Sequence, residues 1–322
     1  MMTLLAGNGC PALAENIAEQ LHESLANTLL SKFNDGEIWF ELNQHVRGDD
    51  VFIIQSTCSP ANDNLMELAV MADAVRRSAS QRIVAVIPYT GYSRQDRRPD
   101  RLRTPITAKL VASLLEAAGV NYVVTIDIHS EQQQGFYDVP FVNLSAERLF
   151  VADILERYGD NDLVAVSPDV GGVRRTRAVA KRIDDAPLAI IDKRRPNPGE
   201  AKVHHIIGDV EGKTCVIIDD LIDTAGTLSK ASHALKEHGA EKILAYITHP
   251  VLSGDAIMNI EESALTELVV TDTIPLEDRS IEFMENTGRI KVISTANLLS
   301  EAIHRIHNDK SINKLYTKEK DE

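Results

Sequence analysis

The chain has 322 residues, 43% of them hydrophobic and 25% charged, which is too long for one ordinary domain and suits two. Its net charge of −14 argues against nucleic-acid binding, which needs a basic face, and leaves any polyanionic substrate to local basic clusters or metal ions. The three cysteines, Cys10, Cys58 and Cys215, lie far apart without zinc spacing or a disulfide framework, and no apolar stretch reaches the length of a membrane span, so a reduced, cytoplasmic protein with no membrane partner is expected.

In chain order, residues 3–6 read as a short strand ending at Gly7-Asn8-Gly9, and Pro11 to Ala26 as an amphipathic helix. Leu29 to Phe33 and Ile38 to Leu42 read as the two arms of a hairpin around Asn34-Asp35-Gly36-Glu37. A regular alternation follows: strand Val51 to Gln55, helix Asn62 to Ser78, strand Arg82 to Pro88, helix Thr107 to Ala118 closed by Gly119, and strand Tyr122 to Ile128. This βαβαβ order predicts a parallel, doubly wound sheet. The order then restarts with strand Val164 to Ser167, helix Val173 to Ile183, strand Leu188 to Ile191 and strand Cys215 to Asp220. Helix Leu228 to His238, strand Lys242 to Thr248, helix Ala256 to Glu262, strands Glu267 to Val270 and Ile290 to Ile293, and helix Leu298 to His307 complete it. Val51-Phe52-Ile53-Ile54-Gln55 aligns with Val216-Ile217-Ile218-Asp219-Asp220, and Arg82 to Pro88 with Lys242 to Thr248. The α/β chain therefore reads as two similar domains, 1–145 and 146–303, related by internal duplication, with an acidic tail within 304–322.

The stretch Asp219-Asp220-Leu221-Ile222-Asp223-Thr224-Ala225-Gly226-Thr227 joins a buried strand to a helix. The helix N-terminus offers unpaired N–H groups and the positive end of its dipole to an anion. Thr224 and Thr227 add hydroxyls, and Ala225 and Gly226 let a phosphate approach. Asp219 and Asp220 repel phosphate but accept hydrogen bonds from sugar hydroxyls, so the stretch describes a phosphorylated-sugar site. It resembles the ribose-phosphate loop of the type I phosphoribosyltransferase fold. The first half lacks the acidic pair, so one such site per chain is expected.

Other stretches carry less specific signals. Tyr92 to Pro105 holds five arginines within ten positions, read as a lid over a triphosphate in preference to a solvated charged loop. Strand alternation points Asp127 and His129 to the same side, as a divalent-ion site or a hydrogen-bonded strand-end pair. Asp169, in Ser167 to Val173, offers a second carboxylate for metal, or belongs to a tight turn. Lys193 and Arg195 follow a strand and would neutralise a transferring phosphoryl group, or simply begin a basic loop. Phe33 beside Asp35, Gly36 and Glu37 suits a purine ring, although alone it reads as a hairpin turn.

Together Phe33–Glu37, Arg94-Gln95-Asp96-Arg97, Pro105 to Lys109, Asp127-Ile128-His129, Gly135-Phe136, Ser167–Gly172, Lys193-Arg194-Arg195 and Asp219–Thr227 closely resemble the ribose-phosphate pyrophosphokinase family, of the phosphate-regulated, bacterial type, over roughly residues 3 to 312. The resemblance implies transfer of the diphosphoryl group of ATP to ribose 5-phosphate, giving 5-phosphoribosyl 1-diphosphate and AMP for nucleotide, histidine and tryptophan biosynthesis. It implies that Asp219, Asp220, Asp223, Thr224, Ala225, Gly226 and Thr227, with Arg195, hold ribose 5-phosphate. Phe33, Asp35, Gly36, Glu37, Arg94, Gln95 and Arg103 would hold ATP, with Phe33, Asp35 and Glu37 reaching in from a neighbouring subunit. Lys193, Arg195 and His129 would be catalytic, and His129, Asp169 and Asp127 would serve Mg²⁺. Arg47 would contact an anion at a regulatory site where phosphate activates and ADP inhibits, and the assembly would be a homo-oligomer, a hexamer. Val142 stands where some relatives carry an acidic residue, which puts an accessory metal site in question. A phosphoribosyltransferase or a non-catalytic relative fits less well, because the duplicated half, the arginine lid and the catalytic lysine are all present.

Overall fold

The computed structural model describes residues 1–99, 101–194 and 203–315, with the backbone alone at 193, 194, 203 and 204. The chain forms two compact units. The first contains β1 (Met2–Ala6), α1 (Pro11–Gln20), β2 (Thr28–Lys32), β3 (Ile38–Leu42), β4 (Asp50–Ile54), α2 (Ala61–Arg77), β5 (Arg82–Ile87), α3 (Thr107–Ala118), β6 (Tyr122–Ile126) and β7 (Phe141–Leu144). Its main sheet is parallel in the order β1-β4-β5-β6-β7, and β2-β3 forms a separate antiparallel hairpin. Every residue of β4 is buried, as an apolar strand flanked on both sides in a parallel sheet requires. α3 buries Ala108, Val111, Ala112 and Leu115, one stripe at helical spacing, and stops at Gly119, whose φ of 115° a side chain would resist.

The second unit contains α4 (Glu147–Tyr158), β8 (Leu163–Ser167), α5 (Val173–Ala180), β9 (Leu188–Arg194), β10 (Val203–Ile207), β11 (Thr214–Ile222) and α6 (Gly226–Glu237), then β12 (Lys242–Pro250), α7 (Ala256–Glu261), β13 (Glu267–Thr271), α8 (Asp278–Thr287) and β14 (Ile290–Ile293). Its sheet runs β10-β9-β8-β11-β12-β13-β14, parallel except for β10. The succession β8-β11-β12-β13-β14 repeats β1-β4-β5-β6-β7. In both units an antiparallel strand pair, β2-β3 or β9-β10, is inserted between the first and second strands of that succession. The chain moves outward from β8 to β9 and β10, then returns to the other side of β8 at β11. β8 and β11 therefore flank the point where strand order reverses, the place where open α/β sheets leave a crevice at their carboxyl ends.

A buried carboxylate ties α4 to this sheet. Asp153 accepts hydrogen bonds from Tyr246 Oη of β12 at 2.7 Å and Arg157 at 3.2 Å, and pairs with Lys291 of β14. Burial alone would raise its pKa, but the bonds from Lys291, Tyr246 and Arg157 outweigh it and hold the carboxyl below the usual range.

The structure departs from the sequence expectation in several places. The last helix, α9 (Ala296–His307), is expected from the sequence to close the second domain at residue 303, but the described residues from Ser294 onward group with the first unit, as do Thr273–Pro275. The reason is packing: α9 lies against α1 and buries Leu299, Ala302 and Ile303. Its end is anchored by His307 Nδ1, 2.8 Å from Asp50 Oδ2, where Arg82 also binds. α1 ends at Gln20, short of Ala26, because the backbone turns through His22 (φ 56°) and Leu25 bridges to Leu4. β6 stops at Ile126 and not Ile128, and β9 runs on to Arg194, so Asp192 and Lys193 lie within a strand and not in a loop after it.

Candidate functional site

The centre of the second unit's site is the end of β11. Val166 of β8 pairs with Ile217, so Asp219 and Asp220 stand just past the last residues paired with β8, while on the other side Asp219 still pairs with Ile247 of β12. Asp220 is buried and Asp219 half-buried. Burial, and then the Asp220 charge beside it, push the Asp219 carboxyl well above the usual range, against the pull of Arg175. Arg175, in the first turn of α5, donates through Nη1 to Asp220 Oδ1 at 3.0 Å and to Asp219 Oδ1 at 3.5 Å.

The chain leaves β11 at Ile222, bends through Asp223 and Thr224, and enters α6 at Gly226. Ala225 takes a left-handed conformation, φ 59° and ψ −3°, at the N-cap, which costs a non-glycine residue roughly 1–2 kcal/mol. Thr224 and Thr227 are exposed. The first turn of α6 turns its unpaired N–H groups toward the same bend. The next loop supports this one: Leu252 N donates to Ile222 O and Ser253 N to Asp223 O, both at 3.1 Å, Ser253 Oγ donates to Asp223 Oδ1, and Asn259 Nδ2 donates to Thr224 O at 2.9 Å.

Across the reversal point from β11, the loop after β8 exposes Asp169. Asp169 Oδ1 accepts from Gly172 N at 3.0 Å, and Ser167 Oγ donates to the Asp169 carbonyl at 2.6 Å. Lys193 sits in β9 opposite His204 of β10; its side chain and all of Arg195 lie outside the described residues.

In the first unit the corresponding strand ends, β1 and β4, are closed by their own side chains. Gln55 Oε1 accepts from Gly9 N at 2.8 Å, and its amide donates to Asn64 O at 3.0 Å and Glu67 Oε2 at 2.9 Å. Glu67 in turn accepts from Asn8 Nδ2 at 2.8 Å. Gln55 and Glu67 are buried, and a Cβ on Gly9 would stand 2.1 Å from the Ser56 carbonyl oxygen.

The remaining first-unit residues sit on exposed loops. Phe33, about half exposed, meets Trp39 edge to face at 5.3 Å. The turn holding Asp35, Gly36 and Glu37 is closed by Phe33 N to Glu37 O at 2.8 Å and by Glu37 N to Asp35 Oδ1 at 3.1 Å. Arg94 and Gln95 are exposed, and Gln95 Oε1 accepts from Thr107 Oγ1 at 3.1 Å. Arg103 lines an open cavity of about 390 Å³ with Arg98, Pro99, Arg101 and Leu102. Three guanidinium groups there suit an oxyanion-rich ligand. Arg47 is exposed before Gly48. Asp127 follows β6 with φ 38° and is buried, accepting from Ser145 Oγ at 3.0 Å, and His129, two residues on, is exposed. Among the described residues no three His, Cys, Asp or Glu side chains form a metal cluster, and no helix is long and apolar enough to cross a membrane.

Sequence reasoning missed Arg175, Ser253 and Asn259. Arg175 carried a faint signal, because a basic residue in a helix's first turn opposes the dipole unless a carboxylate holds it. Ser253 and Asn259 carried none, since their partners are 30 and 35 residues away.

Comparison with known proteins gives a consistent result. The family model described as the N-terminal domain of ribose phosphate pyrophosphokinase matches residues 2–119, and the phosphoribosyl synthetase-associated domain matches residues 164–317. The ribose-phosphate pyrophosphokinase of Marinomonas sp. (strain MWYL1) is 54% identical over 315 residues, 98% of each chain. That of Shewanella oneidensis is 52% identical over 314 residues, again 98% of each. The crystal structure of phosphoribosylpyrophosphate synthetase from Mycobacterium smegmatis superposes with a TM-score of 0.89 at 38% identity, covering 96% of this chain and 99% of that one.

Proposed function

The chain belongs to the ribose-phosphate pyrophosphokinase family, and from that premise we propose how its residues divide the work of making 5-phosphoribosyl 1-diphosphate and AMP from ribose 5-phosphate and ATP. The observation that carries the assignment is the acidic pair at the end of β11, followed directly by the bend that opens α6. The 5-phosphate sits on Asp223 to Thr227, taking N–H donors from the first turn of α6 and hydroxyls from Thr224 and Thr227. Asp219 and Asp220 accept hydrogen bonds from the sugar hydroxyls. The anomeric oxygen attacks the β-phosphorus, the bond between that phosphorus and the oxygen it shares with the α-phosphorus breaks, and AMP leaves. Lys193 and Arg195 offset the charge that develops during this transfer.

ATP is held by Phe33, Asp35, Gly36, Glu37, Arg94, Gln95 and Arg103. The half-exposed Phe33 ring offers a face for the base, and the arginines pair with phosphate oxygens. A small hard cation keeps several waters and takes one or two carboxylates beside substrate phosphates; Asp169, an exposed carboxylate of the second unit, would hold Mg²⁺ in that way, and His129, an exposed imidazole of the first unit, would serve through the waters of a metal-bound nucleotide. When bound, that ion would neutralise part of the charge of the triphosphate. Asp127, buried against Ser145, shapes the loop that carries His129.

Isothermal calorimetry tests the division of labour. Asp223→Ala and Thr227→Val should weaken ribose 5-phosphate binding and spare ATP; an equal loss of both ligands would make the bend a structural element only. For regulation, Arg47 contacts phosphate or ADP at a site between subunits of a homo-oligomer, a hexamer. Arg47→Ala should blunt phosphate activation and ADP inhibition together, and survival of both responses would remove Arg47 from that role. Sedimentation showing a monomer at working concentration would rule out the assembly.

A further inference from the structure

The peptide between Thr224 and Ala225 lies at the middle of the sugar-phosphate bend, and its orientation decides whether a carbonyl oxygen or an N–H faces the ligand. A trans peptide points its C=O and N–H in opposite directions. The Thr224 carbonyl is bound on one side by Asn259 Nδ2 of α7 at 2.9 Å. The Ala225 N–H is thereby turned the other way. With the opposite flip, a carbonyl oxygen would face an anion and repel it. The backbone has reason to flip, because Ala225 is held at φ 59° without the freedom of a glycine.

Asn259 does not act on a loose segment. The adjoining loop is fastened to the bend by Leu252 N to Ile222 O and Ser253 N to Asp223 O. It is stiffened in turn by Arg279, which donates to the carbonyls of Gly254 and Leu252 at 2.6 and 2.9 Å. α7 therefore carries the Asn259 amide on a fixed mount. The Asn259 Nδ2 also stands 4.0 Å from the position a Cβ on Gly226 would take, so it reaches the turn of the chain into α6.

We propose that Asn259 is a positioning residue for ribose 5-phosphate: it pins the Thr224 carbonyl and so fixes the Thr224–Ala225 peptide with its N–H available to the sugar phosphate. This rests on the reading of Asp223 to Thr227 as the sugar-phosphate bend. It predicts a role confined to one substrate, since Asn259 acts only through that peptide.

Steady-state kinetics on three variants of the full chain test it. Asn259→Ala removes the donor, and Asn259→Asp sets a carboxylate against the Thr224 carbonyl. Loss of one hydrogen bond of this kind corresponds to a change of about five- to tenfold. Asn259→Ala should raise KM for ribose 5-phosphate by about that factor, and Asn259→Asp by more, with KM for ATP within about twofold of wild type and the melting temperature nearly unchanged. Thr227→Val reports on the bend itself. If Thr227→Val raises KM for ribose 5-phosphate and Asn259→Asp does not, the bend binds sugar phosphate but Asn259 does not position it. If neither variant changes that KM, the reading of the bend fails and takes the proposal with it. Parallel rises in both KM values with a fall in melting temperature would make Asn259 a general support for the fold and overturn its specific role.

Discussion

Replacing Arg175 by methionine should uncouple the acidic pair from its counter-charge. The guanidinium lies 3.0 Å from Asp220 and 3.5 Å from Asp219. Unit charges about 4 Å apart attract by roughly 4 kcal/mol at an effective dielectric near 20. The Arg175 and Asp219 side chains are 26% and 31% exposed, so solvent screens part of this. Breaking a buried pair costs about 3–5 kcal/mol and an exposed pair about 0–1 kcal/mol, which places this one near 2 kcal/mol. That energy appears as a proton held more tightly by the pair. A protonated carboxyl donates where the sugar hydroxyl needs an acceptor, so the ligand binds the ionised pair and affinity grows as pH rises. In Arg175→Met the dissociation constant for ribose 5-phosphate should rise by about tenfold to thirtyfold at neutral pH. The gap to wild type should narrow as pH climbs toward about 9, with Asp219 already raised in the native protein. Calorimetry of both proteins between about pH 6 and 9 measures this, and the ligand's own phosphate titration near pH 6 cancels in the ratio. Identical affinities across the range, or an equal loss for ATP, would refute the reasoning.

Lys193→Ala should lower kcat by about a hundredfold or more while changing KM little, because the ammonium acts on charge that develops in transfer; near-normal turnover would exclude it. Asp153→Ala strips Tyr246 and Lys291 of their common acceptor and should cost about 3 kcal/mol, seen as a fall in Tm of roughly 6–12 °C, whereas a shift below about 2 °C would show that the network contributes little. Because the Asp153 pKa is lowered on folding, its contribution is complete above the carboxyl's ordinary pKa and is lost as pH falls through the depressed one, so wild type and variant should converge in acid. Gly9→Ala must displace the Ser56 carbonyl 2.1 Å from the new Cβ and should cost about 1–3 kcal/mol by thermal unfolding; an unchanged Tm would mean that this backbone yields easily.

The strands were legible where burial is continuous: β4, β5, β8 and β12 announce themselves as unbroken apolar runs, and α3 as a clean stripe ended by glycine. The sequence reading passed over α4, whose buried face includes Asp153, because a charged residue inside the stripe dilutes the periodic signal. It passed over β10, whose five residues include two histidines and which is held by antiparallel pairing with β9, a relation between segments that neither segment carries alone. The destination of α9 was illegible for a related reason: an amphipathic helix declares that it will be covered, not by which sheet. In the site, Asp219 to Thr227 stood out because its chemistry is contiguous. Arg175 and Asn259 are set by long-range contacts, and the left-handed conformation of Asp127 is a local turn that strand alternation does not announce.

The closed end of β1 and β4 has a consequence for how such a chain can change over time. Doubling a ligand-binding unit doubles the backbone donors at its strand ends, and the copy that loses its ligand keeps those donors. Here one amide, Gln55, answers the Gly9 N–H and leans on Glu67, which answers Asn8. Undoing the closure one residue at a time is opposed. Removing Gln55 alone leaves the Gly9 N–H without its acceptor in a buried place and takes one of the donors of Glu67, and removing Glu67 alone takes the acceptor of the Asn8 amide and one of the two acceptors of the Gln55 amide. Each single step leaves a buried donor short of an acceptor, so hydrogen-bond satisfaction opposes the opening of this end of the first unit by one substitution.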